Sequence, residues 1–151
     1  MSDYVTRATE LFLQGYNCCQ SVAGAFAAEM GMELDTVLRL SSSFGGGFAR
    51  TRSLCGTISG MGMVLGICFG GAEPNDRGAQ YKLVRELTDR FTEKYGTLVC
   101  GELLKNVPNL TSDPMPDGRT PEYYKARPCL RFVQEAALLT EERLRQGGKL
   151  Q

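Results

Sequence analysis

Six cysteines are the residues with the clearest capacity for chemistry in this chain, because the sequence contains no histidine. Without histidine there is no Ser-His-Asp or Cys-His pair, no imidazole metal ligand and no histidine to hold haem. No two cysteines form a Cys-x-x-Cys pair, which excludes local zinc motifs, thioredoxin-like dithiols and ferredoxin-type runs. A shared cysteine site must therefore be assembled by the tertiary fold. The cysteines are Cys18, Cys19, Cys55, Cys68, Cys100 and Cys129.

Four of the six cysteines fall where the sequence predicts the start of a helix. Cys18 follows a predicted cap, Cys55 opens a glycine-rich segment, Cys100 lies in a predicted first turn, and Cys129 follows a proline. Unpaired N–H groups and the positive end of the helix dipole stabilise a thiolate, or an anionic cluster, at such positions. Free cysteine also packs as a small apolar residue, and we expect that role for Cys68.

Composition narrows the class of protein. The 151 residues carry 17 basic and 17 acidic side chains, so the formal net charge is zero. This balance argues against a nucleic-acid-binding protein, which needs a basic face, and against a polybasic membrane-surface protein. An apolar fraction of 42% fits one globular domain over residues 1–151. The N-terminus has no basic segment followed by an apolar one, so we expect a cytoplasmic protein with reduced thiols.

Apolar residues at helical spacing predict an all-α fold, a compact helical bundle of five to seven helices. The glycine-rich helix 55–69 lacks a polar face, so we expect it to be central and the most buried. The uncharged segment that contains this helix is long enough to span a membrane. Its many glycines favour burial in a core instead, and we expect no membrane contact. The predicted helices cover residues 3–14, 18–30, 35–40, 55–69, 76–95 and 98–105, and about 121–146 with an interruption at Pro128.

Two segments are predicted to be irregular. The run 41–48 is too rich in glycine for a strand interior and predicts a flexible turn. The run 106–120 contains three prolines and predicts a long loop, which we expect to be mobile over the cysteines. Arg50 and Arg52 lie between these two segments, just before Cys55, where they add positive potential.

The central cysteine motif resembles a known family. Residues 55–60, Cys-Gly-Thr-Ile-Ser-Gly, resemble the Cys-Gly-Ala-x-x-Gly element of the C-GCAxxG-C-C family, whose members are considered redox-active. Residues 15–18 resemble that family's Tyr-Asn-Cys, residues 44–47 resemble its glycine-rich approach, and Cys100 and Cys129 complete the set. The resemblance covers about residues 4–140. Threonine stands at position 57 where the family usually has alanine, and a second cysteine, at position 19, stands beside the matching one.

The resemblance implies an iron–sulfur cluster, because a related helical domain of split-Soret cytochromes is associated with one. It implies four thiolate ligands: Cys18, Cys55, Cys100 and Cys129. Gly56 and Gly60 would let the backbone approach the cofactor, although their spacing equally allows close approach of another helix. We expect the four cysteines to converge near helix N-termini with Cys68 apart, and we expect zinc to be the less favoured metal.

Three functions stay open on these residues. The first is electron transfer through a cluster, with a redox partner protein that the sequence does not identify. The second is a thiol–disulfide protein in which Cys55 is the attacking thiolate of low pKa. The third is a non-catalytic bundle with a structural zinc or packing cysteines. No motif identifies a substrate or an enzymatic reaction. The apolar surface of helix 55–69 and of residues 44–48 predicts a homodimer.

Overall fold

Caps and glycines set the helix boundaries in the first third of the chain. The structure is a computed structural model that describes residues 1–150. Helix α1, Asp3–Leu13, begins at Ser2, whose side chain accepts the N–H of Val5. Helix α2, Cys18–Ala25, begins at Asn17, which forms a reciprocal capping box with Gln20. Helix α2 is shorter than predicted, and a turn leads from it to the third helix. That helix is α3, Leu34–Leu40.

The remaining helices follow the predicted order. A 3-10 turn at Ser42–Phe44 precedes α4, and one at Pro74–Asp76 precedes α5. Gly96 ends α5 with a left-handed φ of 87°, as its place after the last apolar position predicts. Residues 1–150 contain eight α-helices, one more than the upper end of the expected range, because the chain restarts twice around prolines after residue 120. Helices α4 to α8 are Gly56–Phe69, Arg77–Tyr95, Cys100–Leu103, Pro121–Ala126 and Cys129–Gln146.

Helix α2 lies at the centre of the core, where it packs against α1, α4 and α8. Helix α4 packs against α2 and α8 and is buried along that side. The expectation that α4 is the most buried helix is wrong, because α2 is buried at six of its eight positions and α4 at seven of fourteen. The far side of α4 lacks neighbours: Gly62 and Gly66 face open space and Ile67 is 57% exposed.

The described residues form no strand, and their one β-bridge joins Leu54 to Val99. Among residues 1–150, no helix combines the length and the apolar character that crossing a bilayer requires. The homodimer stays a prediction.

Candidate functional site

Each of the four predicted site cysteines lies at a helix start. Cys18 is the first residue of α2, Cys100 the first of α6 and Cys129 the first of α8, while Cys55 is the residue that caps α4. The sequence prediction of these positions is confirmed. Their thiols, like the other two, are free.

Backbone pairing brings two of the helix starts together. The N–H of Cys55 donates to the carbonyl of Leu98 at 2.8 Å, and the N–H of Cys100 donates to the carbonyl of Ser53 at 2.6 Å. These bonds flank the Leu54–Val99 bridge and hold α4 and α6 with their N-termini side by side. The two cysteines, 45 positions apart in sequence, are therefore neighbours.

Gly56 brings the start of α2 against the start of α4. A Cβ placed on Gly56 would lie 2.8 Å from the carbonyl oxygen of Phe44 and 3.3 Å from the Cβ of Cys18. Any side chain here would push the two helix starts apart, which explains a glycine directly after Cys55. Gly47 likewise allows a close approach to the start of α6, because a Cβ placed on Gly47 would lie 2.6 Å from the Cβ of Cys100.

Cys129 completes the group from the start of α8, where its thiol and that of Cys18 form a hydrogen bond. The four cysteines line one cavity of about 290 Å³, which we call the four-cysteine pocket. The described lining includes Gly56 but not Gly60, Cys19 or Cys68. The predicted convergence of the four cysteines, with Cys68 apart, is what the structure shows.

The two remaining cysteines pack away from the pocket. Cys19 is fully buried between α2 and α4, with its sulfur 4.0 Å from the sulfur of Met63. The sulfur of Cys68 lies 3.9 Å from the carbonyl of Glu29. Gly60 lies beside Cys19, since a Cβ there would be 2.8 Å from the Cys19 carbonyl oxygen. The absence of a side chain at Gly60 therefore lets α2 and α4 pack closely, which is one of the two roles that the glycine spacing allowed.

The acidities of the pocket thiols differ. Cys18 donates the hydrogen bond to Cys129, and this bond together with burial raises the pKa of Cys18 well above the usual thiol value. The same bond lowers the pKa of Cys129, with further lowering from the charges of Arg127, Arg119 and Arg52. Cys129 is therefore the pocket sulfur that most readily carries negative charge.

Burial raises the pKa of Cys55 to about 11, although Thr57 partly offsets the effect. The Thr57 hydroxyl lies 3.0 Å from the Cys55 sulfur, and the Thr57 N–H also hydrogen-bonds to it. A threonine in place of the family's usual alanine thus supplies an additional contact. Cys55 lacks the low pKa expected of an attacking thiolate, because desolvation outweighs the helix-start donors. Burial also raises the pKa of Cys100, against the opposing charge of Arg52.

Four arginines surround the cysteines, and the sequence indicated only the two before Cys55. Arg119 and Arg127 come from the far side of the 106–120 loop and from the end of α7. Arg127 lies two positions before Cys129, much as Arg52 lies three before Cys55, and this flanking position is the signal that could have identified it. One carboxylate, Asp117, lines the described part of the cavity with them.

The first wall of the pocket is a left-handed backbone segment. Residues 46–50 all have positive φ, between 48° and 74°, and Arg52 follows at 65°. Left-handed backbone is costly for residues with a Cβ, here Phe48, Ala49 and the two arginines. Hydrogen bonds within the segment hold it, such as the N–H of Ser53 to the carbonyl of Gly47 at 2.8 Å. Instead of the predicted flexible turn, the chain has a hydrogen-bonded wall that turns Arg50 and Arg52 to the cavity.

The second wall is the 106–120 loop, which arginine side chains hold in place. Asp117 accepts from both Arg50 and Arg127, whose side chains are only 11% and 10% exposed. Arg52 donates from Nε to the carbonyl of Thr111 at 2.9 Å. Arg119 donates to the carbonyls of α1 and of the turn after it, at Phe12 and Tyr16. The loop therefore covers the pocket, as expected, and is tethered by charged contacts.

The pocket can supply four thiolate donors, which is the ligand set of an iron–sulfur cluster. Four thiols converge without a competing imidazole, and Arg52 has a buried Nη2 atom with no partner beside Cys100. Among residues 1–150 no three potential ligand side chains are grouped so that they could hold one ion.

Comparison with known proteins gives one family. The sequence model of the family described as "Putative redox-active protein (C_GCAxxG_C_C)" matches residues 16–143. Searches of curated proteins and of solved structures gave no match. The matched region begins just before Cys18 and ends within α8, so it contains all four pocket cysteines. The chain belongs to the C_GCAxxG_C_C family.

Proposed function

We propose that the four-cysteine pocket is the redox centre of this protein and holds an iron–sulfur cluster for electron transfer. The observation that carries the proposal is the convergence of four cysteines from four separate helix starts on one arginine-lined cavity. Ordinary packing explains one buried cysteine at a time, but it does not explain why four sulfurs and four guanidinium groups share a cavity.

The chain's own residues have distinct tasks in this proposal. Cys18, Cys55, Cys100 and Cys129 are the thiolate ligands, and a bound cluster supplies one-electron transfer. The arginines offset the negative charge of the ligands, since hydrogen bonds and cations near cluster sulfurs stabilise the more negative state. The 106–120 loop lines the pocket and would restrict the access of water to the sulfurs. Electron transfer also requires a redox partner protein, for which the open rim of the pocket is the natural approach.

Anaerobic purification tests the proposal directly. We expect a coloured protein whose iron and acid-labile sulfide are present in equal amounts, with a visible absorption that bleaches on reduction by dithionite. A colourless protein that stays colourless after anaerobic incubation with ferrous iron and sulfide contradicts the cluster. Stoichiometric zinc in its place would support a structural metal instead.

A thiol–disulfide function is the second candidate, because Cys18 and Cys129 already form a hydrogen bond in which one thiol is acidified. Closing this pair to a disulfide releases two protons and two electrons to an external oxidant. Cys129, rather than Cys55, is the attacking thiolate in this case. Treatment of the metal-free protein with diamide, followed by peptide mass spectrometry, separates the two candidates. A rapid and reversible Cys18–Cys129 disulfide supports the second, whereas scrambled or absent pairing opposes it.

A further inference from the structure

The arginines of the pocket carry more positive charge than their partners balance. The described lining contains four arginines and one carboxylate, so its formal charge is +3 with neutral thiols, and still +2 with Cys129 ionised. Asp117 is shared by two of the arginines, and the partners of Arg119 are neutral: two carbonyl oxygens, the Tyr124 hydroxyl and aromatic ring faces. Buried cations without counter-charge are costly, so the charge balance favours an additional anion in this cavity.

Arg52 offers the position for that anion. Its Nε binds the Thr111 carbonyl and its Nη1 lies 3.8 Å from the Cys100 sulfur. Its Nη2 is buried and has no hydrogen-bond partner. An unsatisfied buried donor on a charged group is destabilising, and an oxyanion would satisfy it with a charge-assisted bond. Because Nη1 and Nη2 belong to one planar group, the anion would lie beside Cys100.

The neighbouring backbone supplies further donors. Gly46 and Gly47 line the same cavity, and within the described residues their N–H groups donate no hydrogen bond. Both have left-handed φ values, 63° and 68°, in the wall that also carries Arg52. The strained backbone thus brings a guanidinium and unpaired N–H groups to one cavity, and strain of this kind is typical of ligand-binding sites.

We infer that Arg52 is the anchor of an oxyanion-binding subsite beside Cys100, which takes a carboxylate or an inorganic oxyanion of the phosphate or sulfate type. The subsite rests on the unpaired Arg52 donor, which is present whatever the cysteines hold, whereas the charge excess applies to the pocket with neutral thiols. Its position within contact of a pocket sulfur suits an anionic redox substrate, and that assignment alone rests on the proposed function.

The test is calorimetric titration of the full-length, anaerobically purified chain at low ionic strength. The probes are acetate and succinate in one arm and inorganic phosphate and sulfate in the other. The variants are Arg52→Gln, which removes the charge and keeps a shorter polar side chain, and Arg52→Gly, which suits the left-handed φ. Arg39→Gln is the matched control, because Arg39 is 82% exposed and pairs only with Asp35 on its own helix.

We expect saturable binding of at least one probe by the wild type and the control, and at least tenfold weaker binding by both Arg52 variants, each of which still unfolds cooperatively. The arm that binds identifies the oxyanion class. Absence of saturable binding, or equal binding by the Arg52 variants, overturns the subsite. Iron analysis of the same samples distinguishes the two proposals. Anion binding without iron supports the subsite and opposes the cluster. Iron without anion binding supports the cluster and opposes the subsite.

Discussion

Cys18 and Cys19 are neighbours in the chain, yet they lie in two different regions of the molecule. Cys18 enters the four-cysteine pocket, among arginines and other thiols. Cys19 lies in the α2–α4 interface, an apolar contact that also contains Val22, Gly60 and Met63. Gly56 and Gly60, one turn apart on α4, differ in the same way, because Gly56 lies at the pocket and Gly60 at the interface. The helix face on which a cysteine or glycine lies therefore decides whether it contributes to packing or to the site.

Thiol reactivity gives the largest expected difference between the two regions. In the metal-free, reduced chain, the pKa of Cys129 is below the usual thiol value and that of Cys19 is raised to about 12 by burial. Only the thiolate alkylates, so Cys129 should react with iodoacetamide at least 100-fold faster than Cys19 near pH 7.5. Its rate should level off at a lower pH than that of any other cysteine.

Peptide mass spectrometry of samples quenched between pH 6 and pH 10 measures these rates. A Cys19 rate that matches or exceeds that of Cys129 would remove the distinction between pocket and interface thiols.

Packing at the interface gives the next largest effect. Gly60→Ala places a Cβ 2.8 Å from a backbone oxygen and 3.1 Å from the Cβ of Val22, so α2 and α4 must separate. We expect the free energy of unfolding to fall by about 1–3 kcal/mol. Gly62→Ala, two positions further along, meets open space and should raise it by about 0.5–1 kcal/mol through better helix propensity. Urea denaturation of the two variants decides; equal effects would mean that close helix approach is unimportant.

Loss of the contacts that hold the 106–120 loop over the pocket gives a smaller expected effect. Asp117→Asn removes the carboxylate shared by Arg50 and Arg127 and should cost about 1–2 kcal/mol, because the two guanidinium groups are buried and the carboxylate is half exposed. Hydrogen exchange within residues 106–120 should accelerate. Asp89→Asn is the control, since the exposed Arg85–Asp89 pair contributes little. Unchanged exchange in the loop of Asp117→Asn would show that other contacts hold it closed.

Backbone strain in the first wall gives the smallest expected effect. Ala49 is exposed and has a φ of 48°. Ala49→Gly relieves the left-handed strain of about 1–2 kcal/mol but adds unfolded-state entropy, so we expect a net gain of a few tenths to about 1 kcal/mol. Ala25→Gly in α2, where the backbone is helical and the side chain buried, should destabilise the protein instead. Thermal unfolding of the two variants, compared with the wild type, gives the sign in each case.

Local signals predicted much of the fold and of the site. Asn17, Gly96 and Thr120 act as the caps that their residue types indicate, because capping depends on a few neighbouring atoms. The Asn17 cap puts Cys18 at a helix start. The resemblance to the family, rather than spacing alone, identified the four pocket cysteines as one set.

Features that depend on tertiary contacts were not predictable in this way. The left-handed segment 46–50 contains phenylalanine, alanine and arginine, none of which favours positive φ. The low acidity of Cys55 depends on the depth of its burial, and the role of Gly60 depends on which helix it faces. Arg119 reaches the site only because the loop folds back on α1.

The central claim is that four cysteines form one metal-binding site from which Cys19 and Cys68 are excluded. The most direct measurement is iron and acid-labile sulfide per chain in Cys18→Ala and Cys19→Ala, purified side by side under anaerobic conditions, with Cys68→Ala as a further control. We predict that Cys18→Ala loses most of its iron and sulfide while the other two variants keep wild-type amounts. Equal loss in Cys18→Ala and Cys19→Ala, or full retention in both, would contradict the account.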